Sequence, residues 1–376
     1  MKKIVYIVST LKRTGPTSQL FNLIKYLDRS QFEPHLITLS PEPADSRWSD
    51  YEALGVQLHS LNLSRLFGVF LGKKQLGKLI GKIKPDLIHT QGIRGDVLSS
   101  GILGNIPKIC TIRNIPQKDY PMTYGKFVAG LMLWRHKRAM RKLTLCVGVS
   151  RAVSDNLQQC FGFYNISTVQ NGVDTELYNL AGNIEKEVLR KNIGLPQEGS
   201  LWISSGHLSA RKDPLFLIDA WKRPGYVDQS NHLIFIGSGL LDQECRAAAD
   251  GCANIHVLGR VTNVADYLKA CDYFVSASQA EGLPNAVLEA MACGLPVLLS
   301  DIEPHKEIVA MSEKSGLLFR LGDEISFHEE FEKLCDDDRE ARSSAALSLV
   351  NDSLSASIMS ENYQKLYNEL IEGSTN

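Results

Sequence analysis

Hydrophobic residues occur along the chain in short runs, separated by longer segments in which apolar positions recur at helical spacing. Runs of this kind, rich in Val, Ile, Leu and aromatic residues, predict buried strands. Strands that alternate with helices are typical of parallel α/β sheets, so the pattern predicts two consecutive sheets of similar build. The predicted strands are residues 4–9, 35–39, 87–89, 108–112 and 145–149 in the first half, and 201–205, 232–236, 255–258, 273–276 and 297–300 in the second.

The junction between the two sheets falls near the middle of the chain. Residues 169–174 predict a strand that runs into a turn, and residues 175–199 are polar and charged enough to connect two domains. We therefore predict an N-terminal domain of residues 1–174 and a C-terminal domain of residues 175–356. Apolar positions in the tail, residues 357–371, have helical spacing, so this segment should pack on another element.

Composition and charge narrow the class of protein. Hydrophobic residues make up 44% of the 376 residues and charged residues 22%, as in soluble globular proteins, and no apolar run reaches the length of a membrane-spanning helix. Residues 1–175 contain 24 Lys and Arg against 11 Asp and Glu (+13), and the remainder 17 against 31 (−14). The basic half predicts an anionic partner, either a membrane surface or a nucleic acid. The eight cysteines lack the spacing of metal ligands, which favours buried thiols in a reducing compartment.

The most informative segment is residues 278–297, which follow a predicted strand. The chain turns at Glu281 and opens a helix at about Asn285 that ends at Gly294. A helix N-terminus offers unpaired amides and partial positive charge, so it can bind an anion. Glu281 would lie just before this end, and Glu289 within the helix could accept hydrogen bonds from ribose hydroxyls. Alternatively both glutamates are solvated, but the flanking Gly-Leu-Pro and Gly-Leu-Pro-Val favour the binding site.

A second candidate is the loop of residues 204–214, which connects a predicted strand to a helix. It contains Gly206, where the backbone can approach a ligand closely, and the adjacent cations Arg211 and Lys212. Two neighbouring cations can neutralise a diphosphate. A surface loop with two solvated cations is an equally good interpretation of these residues alone.

Weaker candidates lie at the ends of strands in the first half. Gly15 is in the loop after the first strand, in the position of a phosphate-binding loop, although a plain turn explains one glycine equally well. His89 lies at the C-terminal end of the third predicted strand, and Arg113 and Asn114 lie at that of the fourth. Open parallel sheets bind ligands at this edge. The sequence has no G-x-S-x-G, no P-loop lysine motif and no G-x-G-x-x-G after a strand.

Together these residues resemble the retaining glycosyltransferases of family four. The first βα loop, residues 85–90 (Pro-Asp-Leu-Ile-His-Thr), residues 171–174 (Asn-Gly-Val-Asp) and residues 281–297 occur in the family's order, so the resemblance covers nearly the whole chain. It implies the GT-B architecture, in which two Rossmann-like domains face a cleft and a C-terminal helix, here residues 357–376, crosses back to the first domain. It also implies transfer from a nucleotide sugar with retained anomeric configuration, without a metal ion or another cofactor.

The resemblance also implies roles for single residues. Glu281 would bind hydroxyls of the donor sugar, Glu289 the ribose, and Lys212 the diphosphate. The implied catalytic residues are Glu281, Lys212 and His89, and the acceptor residues are Arg113 and Asn114. The residues implied to bind the nucleotide sugar are Gly15, His207, Arg211, Lys212, Arg260, Val261, Glu281, Leu283, Asn285, Ala286, Val287 and Glu289.

Three positions depart from the family's pattern. His207 stands where an arginine is usual, Gly15-Pro16 where paired glycines are usual, and Arg113-Asn114 where a histidine–acid pair is common. The histidine at 207 weakens the cationic clamp on the diphosphate unless Arg211 substitutes for the usual arginine. Even so, the donor site follows the family's pattern more closely than the acceptor site does.

The implied reaction is transfer of a hexose or N-acetylhexosamine from a UDP-linked donor, since enzymes of this type mostly use uridine. Our hypothesis for the acceptor is a lipid-diphosphate-linked glycan of a bacterial surface polysaccharide, such as O-antigen or capsule. A sugar-nucleotide 2-epimerase of the same architecture and a non-catalytic sugar-nucleotide sensor are the alternatives. A nucleic-acid binder is disfavoured because no recognition motif supports it.

Two basic segments predict where the protein would meet a membrane. Residues 65–84 and 124–142 interleave cations with Phe, Leu and Trp at helical spacing, as interfacial helices do. We expect a cytoplasmic protein that binds peripherally, through its N-terminal domain, to the anionic inner face of the cell membrane. The alternative is that both helices cover the first sheet with their cations in water.

Overall fold

The computed structural model describes residues 1–374, apart from the side chain of Arg65, and divides into two compact units. The first unit is Met1–Gly172 together with the segment that begins at Ala356, and the second is Val173–Ser355. The chain therefore passes between the units twice. The divisions lie within two residues of those predicted from the sequence.

The first unit contains a seven-stranded parallel sheet in the order β3-β2-β1-β4-β5-β6-β7. Its strands are β1 (Lys2–Val8), β2 (Phe32–Thr38), β3 (Gln57–Ser60), β4 (Leu87–Gln91), β5 (Lys108–Ile112), β6 (Leu145–Gly148) and β7 (Ile166–Thr168). The helices between them are α1 (Gly15–Lys25), α2 (Trp48–Ala53), α3 (Arg65–Ile83), α4 (Ile93–Ser99), α5 (Pro116–Tyr124), α6 (Lys126–Met140) and α7 (Arg151–Phe161).

The second unit contains a six-stranded parallel sheet in the order β10-β9-β8-β11-β12-β13. Its strands are β8 (Ser200–Ser205), β9 (Asn231–Ile236), β10 (Ile255–Gly259), β11 (Tyr273–Ser276), β12 (Val297–Ser300) and β13 (Gly316–Phe319). The helices are α8 (Asn183–Asn192), α9 (Pro214–Lys222), α10 (Asp242–Ala249), α11 (Val264–Ala270), α12 (Asn285–Ala292), α13 (Glu303–Met311), α14 (Glu324–Asp336) and α15 (Arg339–Leu349), with shorter helical turns at Glu313–Ser315 and Val350–Leu354.

Both sheets have the doubly wound order of a Rossmann fold. The strand order reverses between β1 and β4 in the first unit and between β8 and β11 in the second. Open sheets of this kind bind ligands outside the carboxyl ends of the strands at such a reversal. The loops after these four strands are therefore where a binding site is expected in each unit.

The C-terminal helix α16 (Ala356–Gly373) belongs to the first unit. Its Met359, Tyr363 and Tyr367 are buried in the same hydrophobic core as residues of β1 and α1. The hydroxyl of Ser360 donates to the carbonyl oxygen of Leu23 at 2.8 Å, which adds a directional contact with α1. The expectation that this helix crosses back to the first domain is confirmed.

Several elements differ from the predicted ones. The loop that was predicted around Gly15 is shorter than expected, since α1 already begins at Gly15, where the hydroxyl of Thr17 accepts a hydrogen bond from the Thr14 amide and holds the first turn. Strands β3 and β13 were not predicted, because each lies at an edge of its sheet and is only partly buried. The strand predicted at the start of residues 169–174 lies earlier, at Ile166–Thr168. The polar connecting segment contains α8, which is held to the second sheet by ion pairs of Lys186 and Arg190 with Asp272 at 2.6 Å each.

Candidate active site

Glycines position the loop that follows β8. A Cβ atom at Gly237, in the loop after β9, would lie 1.8 Å from the carbonyl oxygen of Gly206, and a Cβ atom at Gly239 would lie 2.1 Å from that of Leu208. Gly237 also has φ +131°, which side chains other than hydrogen rarely allow. The two loops therefore pack backbone against backbone. The Gly-Ser-Gly sequence after a predicted strand was the signal for this feature, and our sequence analysis missed it.

The loop after β8 is also bonded to the loop after β11. The amide of Gln279 donates to the carbonyl oxygen of Arg211 at 2.8 Å, and Arg211 Nη1 donates to the carbonyl oxygen of Ala280 at 2.8 Å. Gln279 Nε2 donates to Asp213 Oδ2 at 2.8 Å. The two segments singled out in the sequence, residues 204–214 and 278–297, thus meet where the strand order reverses.

An ion-pair cluster occupies this meeting point. Glu281 Oε1 lies 2.7 Å from Lys212 Nζ, and Glu281 Oε2 lies 2.9 Å from Arg211 Nη1. The Glu281 side chain is only 9% exposed. Burial alone would raise the pKa of Glu281, but the charges of Lys212 and Arg211 outweigh burial and lower the pKa to about 2. Two cations and one carboxylate leave the cluster with a net positive charge at neutral pH.

Helix α12 adds a second source of positive potential. It begins at Asn285, directly after Pro284, whose side chain has no group that could cap the first amides, and its first turn contains no acidic residue. The backbone of Asn285, Ala286 and Val287 forms that first turn, preceded by the buried Leu283. A helix end of this type stabilises negative charge by roughly 0.3–1 kcal/mol or more when partly buried.

Glu289 lies one turn further along α12 and behaves differently from Glu281. Its side chain is half-buried, and burial raises its pKa to about 7, against a smaller lowering by Lys212. The two glutamates of one motif therefore have opposite shifts: Glu281 is ionised at all physiological pH values, whereas Glu289 titrates near neutrality. A carboxyl group with such a pKa is sensitive to any hydrogen-bond donor that is placed next to it.

His305 on α13 was not predicted and belongs to the same site. It is completely buried, its Nδ1 lies 2.8 Å from the carbonyl oxygen of Ser300, and its Nε2 has no hydrogen-bond partner among the described residues. Burial lowers the pKa of His305 to about 4, partly offset by the Ser300 bond and the charge of Glu281. A neutral imidazole bonded in this way carries a proton on one nitrogen only. Only its place after a strand end could have indicated it in the sequence.

The remaining donor-side residues follow other strands of the second sheet. His207 is exposed directly after Gly206, and Arg260 is exposed directly after the last residue of β10, with Val261 half-buried beside it. Because all six strands are parallel, these loops share one edge of the sheet with Lys212 and Glu281. The structure therefore places all the predicted nucleotide-sugar residues of the second unit at one edge.

His89 in the first unit does not have the environment expected of a catalytic residue. It is completely buried, with Nδ1 2.8 Å from the Tyr367 hydroxyl and Nε2 2.7 Å from the Thr111 hydroxyl. Burial, and to a smaller extent Arg113, lowers the pKa of His89 to about 3, so the ring is neutral. This geometry disagrees with the predicted catalytic role, because both nitrogens bond within the fold. His89 connects β4, β5 and α16.

Arg113 and Asn114 lie at the carboxyl end of β5, as predicted for the acceptor side. Arg113 Nη2 donates to Gln91 Oε1 at 2.9 Å and Nη1 to Asn171 Oδ1 at 3.3 Å, while its buried Nε has no partner among the described residues. Asn114 donates to Asp119 at 2.5 Å. Gly15 is exposed at the first position of α1, on the same edge of the first sheet.

Two family models match the chain, one on each unit. Residues 14–177 match the model described as Glycosyltransferase Family 4, and residues 200–337 match Glycosyl transferases group 1. Together they cover most of the chain, including every predicted donor residue. The first match ends at residue 177, five residues after the division between the two units.

Curated relatives and solved structures agree with these models. The chain is 27% identical to an Escherichia coli UDP-Gal:α-D-GlcNAc-diphosphoundecaprenol α-1,3-galactosyltransferase over 70% of this chain and 69% of that one. It is 27% identical to the Staphylococcus aureus capsular polysaccharide biosynthesis glycosyltransferase CapH over 82% and 84%. Among solved structures, HepE of Anabaena in complex with UDP superposes with a TM-score of 0.80 at 18% identity, over 98% of this chain and all of that one, so the fold is shared. The chain therefore belongs to the family-four glycosyltransferases, with the two Rossmann-like units of the GT-B architecture.

Proposed function

We propose that the protein transfers a hexose or N-acetylhexosamine from a UDP-linked donor to a lipid-diphosphate-linked glycan in the biosynthesis of a bacterial surface polysaccharide. The observation that carries this proposal is the cluster of Lys212, Arg211 and Glu281 beside the N-terminus of α12, because it combines groups for a diphosphate with a fixed carboxylate for sugar hydroxyls. The E. coli relative supports the choice of substrates, since its name gives UDP-Gal as donor and α-D-GlcNAc-diphosphoundecaprenol, a sugar linked to a lipid diphosphate, as acceptor.

The cluster suggests how the reaction is promoted. As the bond between the sugar C1 and the diphosphate loosens, negative charge grows on the departing diphosphate. Lys212, Arg211 and the first amides of α12 are placed to stabilise that charge, which is electrostatic catalysis by groups that are already oriented. Glu281 keeps two cations in position and has lone pairs left for hydroxyls of the sugar. The acceptor hydroxyl would then attack C1 from the face that the diphosphate leaves and pass its proton to the departing diphosphate oxygen, with retention of configuration.

A transfer assay with defined substrates tests both the reaction and its stereochemistry. Purified protein is incubated with each of several UDP-hexoses and UDP-N-acetylhexosamines and with N-acetylglucosaminyl diphosphate carrying a short lipid. We expect one donor to stabilise the fold by mass action and to be transferred. Proton NMR of the product should show the anomeric coupling of the donor. An inverted product would contradict the retaining mechanism, and absence of transfer from every donor would contradict the proposed function.

We also propose that transfer needs no divalent metal ion. Among residues 1–374, no group of three or more His, Cys, Asp or Glu side chains is arranged to hold a metal ion. Cations of the protein would then neutralise the diphosphate, as described above. Activity should be unchanged in excess EDTA. Loss of activity in EDTA, with recovery on addition of Mn²⁺, would show that a metal ion is required.

Finally, we propose that the first unit binds to an anionic membrane surface through α3 and α6. Exposed apolar side chains on these helices include Phe67, Phe70, Phe127, Leu131 and Trp134, each more than 60% exposed, and neither helix contains an acidic residue. None of the helices described is long and apolar enough to cross a bilayer. Exposed aromatic residues among lysines and arginines are typical of helices that lie in the interface, where each cation contributes about 1 kcal/mol.

A further inference from the structure

A cavity of about 400 Å³ lies in the second unit, at the edge of the sheet opposite the donor site. Cys271 and Asp272, which line it, lie directly before β11, and Gly294 lines it shortly before β12. Because the strands are parallel, their amino ends share one edge, whereas Lys212 and Glu281 follow the carboxyl ends. The cavity is therefore separate from the donor site, and its volume is within the roughly 300–1,000 Å³ of small-molecule sites.

Three cations surround the carboxylate of Asp272 at this cavity. Its Oδ1 accepts hydrogen bonds from Lys186 Nζ at 2.6 Å and from Arg339 Nη1 at 2.7 Å. Its Oδ2 accepts from Arg190 Nη2 at 2.6 Å and from the Leu201 amide at 2.8 Å. Burial alone would raise the pKa of Asp272, but Lys186 and the other donors lower it below its usual value. The carboxylate is thus ionised, and each of its oxygens already accepts two hydrogen bonds.

Cationic N–H groups are left over after Asp272 is saturated. Lys186 has three N–H groups and donates one of them to Asp272, although its side chain is only 19% exposed. Lys269 on α11 also lines the cavity and is 15% exposed. Among the described residues, the only carboxylate within 4.0 Å of its Nζ is that of Glu185, at 4.0 Å. Half-buried cations with unused donors are stabilised by an anion next to them.

The rest of the lining favours hydroxyl groups on the ligand. Ser343 and Ser344 of α15 line the cavity, and the exposed carboxylate of Glu340 can accept hydrogen bonds from hydroxyls. None of the described residues that line the cavity is aromatic, so a nucleobase would find no ring to stack on. A second anionic group on the ligand would lie close to the carboxylates of Glu340 and Asp272. One phosphate with a polyhydroxylated body fits this lining best.

A glycine brings the end of the donor helix close to this cavity. Gly294 lies two residues after the end of α12 and has φ +76°, a conformation that side chains other than hydrogen disfavour. A Cβ atom there would lie 2.7 Å from Ser343 Oγ and 2.8 Å from Leu180 Cδ1, so the chain passes α15 closely only without a side chain. The first turn of α12 belongs to the donor site. Its eight residues separate the two sites by about 12 Å of helix.

We propose that this cavity binds a sugar phosphate. Lys186, Lys269 and Arg339 bind the phosphate group through their ammonium and guanidinium donors. Ser343 and Glu340 bind hydroxyl groups of the sugar. The proposal goes beyond the proposed function and does not depend on it, because the cavity lies within the second unit and contains none of the donor residues.

Calorimetry with hexose phosphates as probes tests the site directly. Glucose 6-phosphate, glucose 1-phosphate and mannose 6-phosphate are each titrated into the full-length protein, with glucose, mannose and inorganic phosphate in parallel. We expect at least one hexose phosphate to bind at least about tenfold more tightly than its sugar or inorganic phosphate, because each of these makes only one set of contacts. Equal affinity of inorganic phosphate would indicate an adventitious ion only and overturn the proposal, as would absence of binding by all three hexose phosphates.

Two pairs of variants locate the bound probe. Lys269→Met removes a cation of the cavity, whereas Lys191→Met removes an exposed lysine of α8 that does not line it. Ser343→Leu removes a lining hydroxyl and fills part of the cavity, whereas Ser348→Leu changes an exposed serine of the same helix. Lys269→Met and Ser343→Leu should each weaken hexose phosphate binding about tenfold, with their partners near wild type. Equal affinities within both pairs would overturn the proposal, and the lysine pair decides if Ser343→Leu does not fold.

A further comparison distinguishes this cavity from the donor site. The affinity for the hexose phosphate should be unchanged in Lys212→Met and at saturating UDP, because the two sites lie at opposite ends of α12. A probe that UDP displaces competitively, or that Lys212→Met no longer binds while Lys269→Met still does, would occupy the donor site and overturn the proposal. Failure of sugar transfer would leave this result unaffected, since only binding is measured.

Discussion

The two units share one strand order, yet the places where that order reverses are built differently. In the second unit, the loops after β8 and β11 are joined by backbone hydrogen bonds and carry an ion-pair cluster of Lys212, Arg211 and Glu281. In the first unit, the corresponding strand β4 carries His89, which is completely buried, and leads into α4 beside an apolar cavity. Both sheets therefore provide the same binding edge, and the residues of the loops at that edge determine which groups a ligand can contact there.

The net charge of each half of the chain does not indicate which unit carries the cationic cluster. The cationic pair of the donor site lies in the half of the chain with charge −14, and the buried His89 lies in the half with +13. A ligand responds to the groups within a few ångströms, since water and salt screen more distant surface charges. The charge of the first half is instead concentrated on α3 and α6, at its surface.

We expect the largest loss of turnover from substitutions in the donor cluster of Lys212, Arg211 and Glu281. Lys212→Met removes the cation nearest Glu281 Oε1, and Glu281→Gln removes the carboxylate that positions both cations. Loss of one oriented electrostatic group typically costs ~10²–10³-fold in turnover, so we expect a decrease of that size in kcat for each variant. The measurement is the initial rate of sugar transfer at saturating donor.

A suitable control is Lys222→Met, which removes a lysine at the end of α9. Its Nζ donates to the carbonyl oxygen of Ala248 at 2.9 Å. This variant should keep nearly all activity. Wild-type turnover in Lys212→Met would mean that Lys212 does not act on the donor and that the two units differ less than proposed.

The second effect concerns stability rather than turnover. His89→Leu removes the hydrogen bonds that the ring makes with the buried hydroxyls of Tyr367 and Thr111, although the Thr111 hydroxyl keeps its contact with the Tyr363 hydroxyl at 2.8 Å. Each lost hydrogen bond costs about 0.5–1.5 kcal/mol, so the free energy of unfolding should fall by about 1–3 kcal/mol. Chemical denaturation measures it. The affinity for UDP should not change; a His89→Leu variant of normal stability but without transfer activity would restore the catalytic role inferred from the sequence.

Sequence patterns predicted the fold better than they predicted the environment of single side chains. For strands such as β5 and β11, the predicted bounds agree with the observed ones at both ends. Both strands are buried on both faces, and such burial leaves a continuous apolar run in the sequence. The edge strands β3 and β13 are only partly buried and therefore lack such a run. Glu281 and Lys212 could be identified from the sequence because each belongs to a short contiguous segment with a recognisable pattern. The burial of His89 instead depends on a contact with α16, which is more than 250 residues away in the sequence. His305 was missed because it belongs to no sequence motif, and its place after the end of β12 was the only indication.

The third effect concerns the surface of α3 and α6. Phe70→Asp and Phe127→Asp each place a negative charge where an exposed aromatic side chain would enter the interface; the wild-type residues are 76% and 90% exposed. Loss of apolar contact and repulsion by anionic lipid should each contribute about 1 kcal/mol, so binding to anionic vesicles should fall about tenfold or more. Flotation with anionic and neutral vesicles, at low and high salt, measures this.

Tyr164→Asp is the matched control, because it introduces the same charge at an aromatic residue of the first unit that is 88% exposed but lies outside α3 and α6. Its vesicle binding should stay near the wild-type level. Equal recovery of the wild type with neutral and anionic vesicles would contradict membrane attachment through this surface.

The smallest expected effect distinguishes the two glutamates of the donor motif. Burial raises the pKa of Glu289 to about 7, so its carboxyl group changes from mostly protonated to mostly ionised between pH 6 and 8. Ribose hydroxyls donate hydrogen bonds, and an ionised carboxylate accepts them more strongly than a neutral carboxyl group. The affinity for the donor should therefore rise with pH through neutrality. We expect an increase of about threefold between pH 6 and 8, because binding that required the ionised carboxylate would increase about tenfold over this range. Glu281, with a pKa of about 2, contributes nothing to this change.

Stability without donor should show the opposite trend. A carboxyl group whose pKa is raised in the folded state, from 4.5 to about 7, stabilises the fold while it is protonated. This contribution is present below the unfolded value and is lost as pH rises towards 7. The melting temperature of the protein alone should thus decline from pH 5 to 7 more in the wild type than in Glu289→Gln. The donor-induced increase should grow over pH 6–8 in the wild type only. A nucleotide sugar is the appropriate probe, since its diphosphate diester keeps the same charge throughout, unlike free UDP. A Glu289→Gln variant with the wild-type pH profile of donor affinity would show that another group near α12 titrates, and would remove the ribose contact assigned to Glu289.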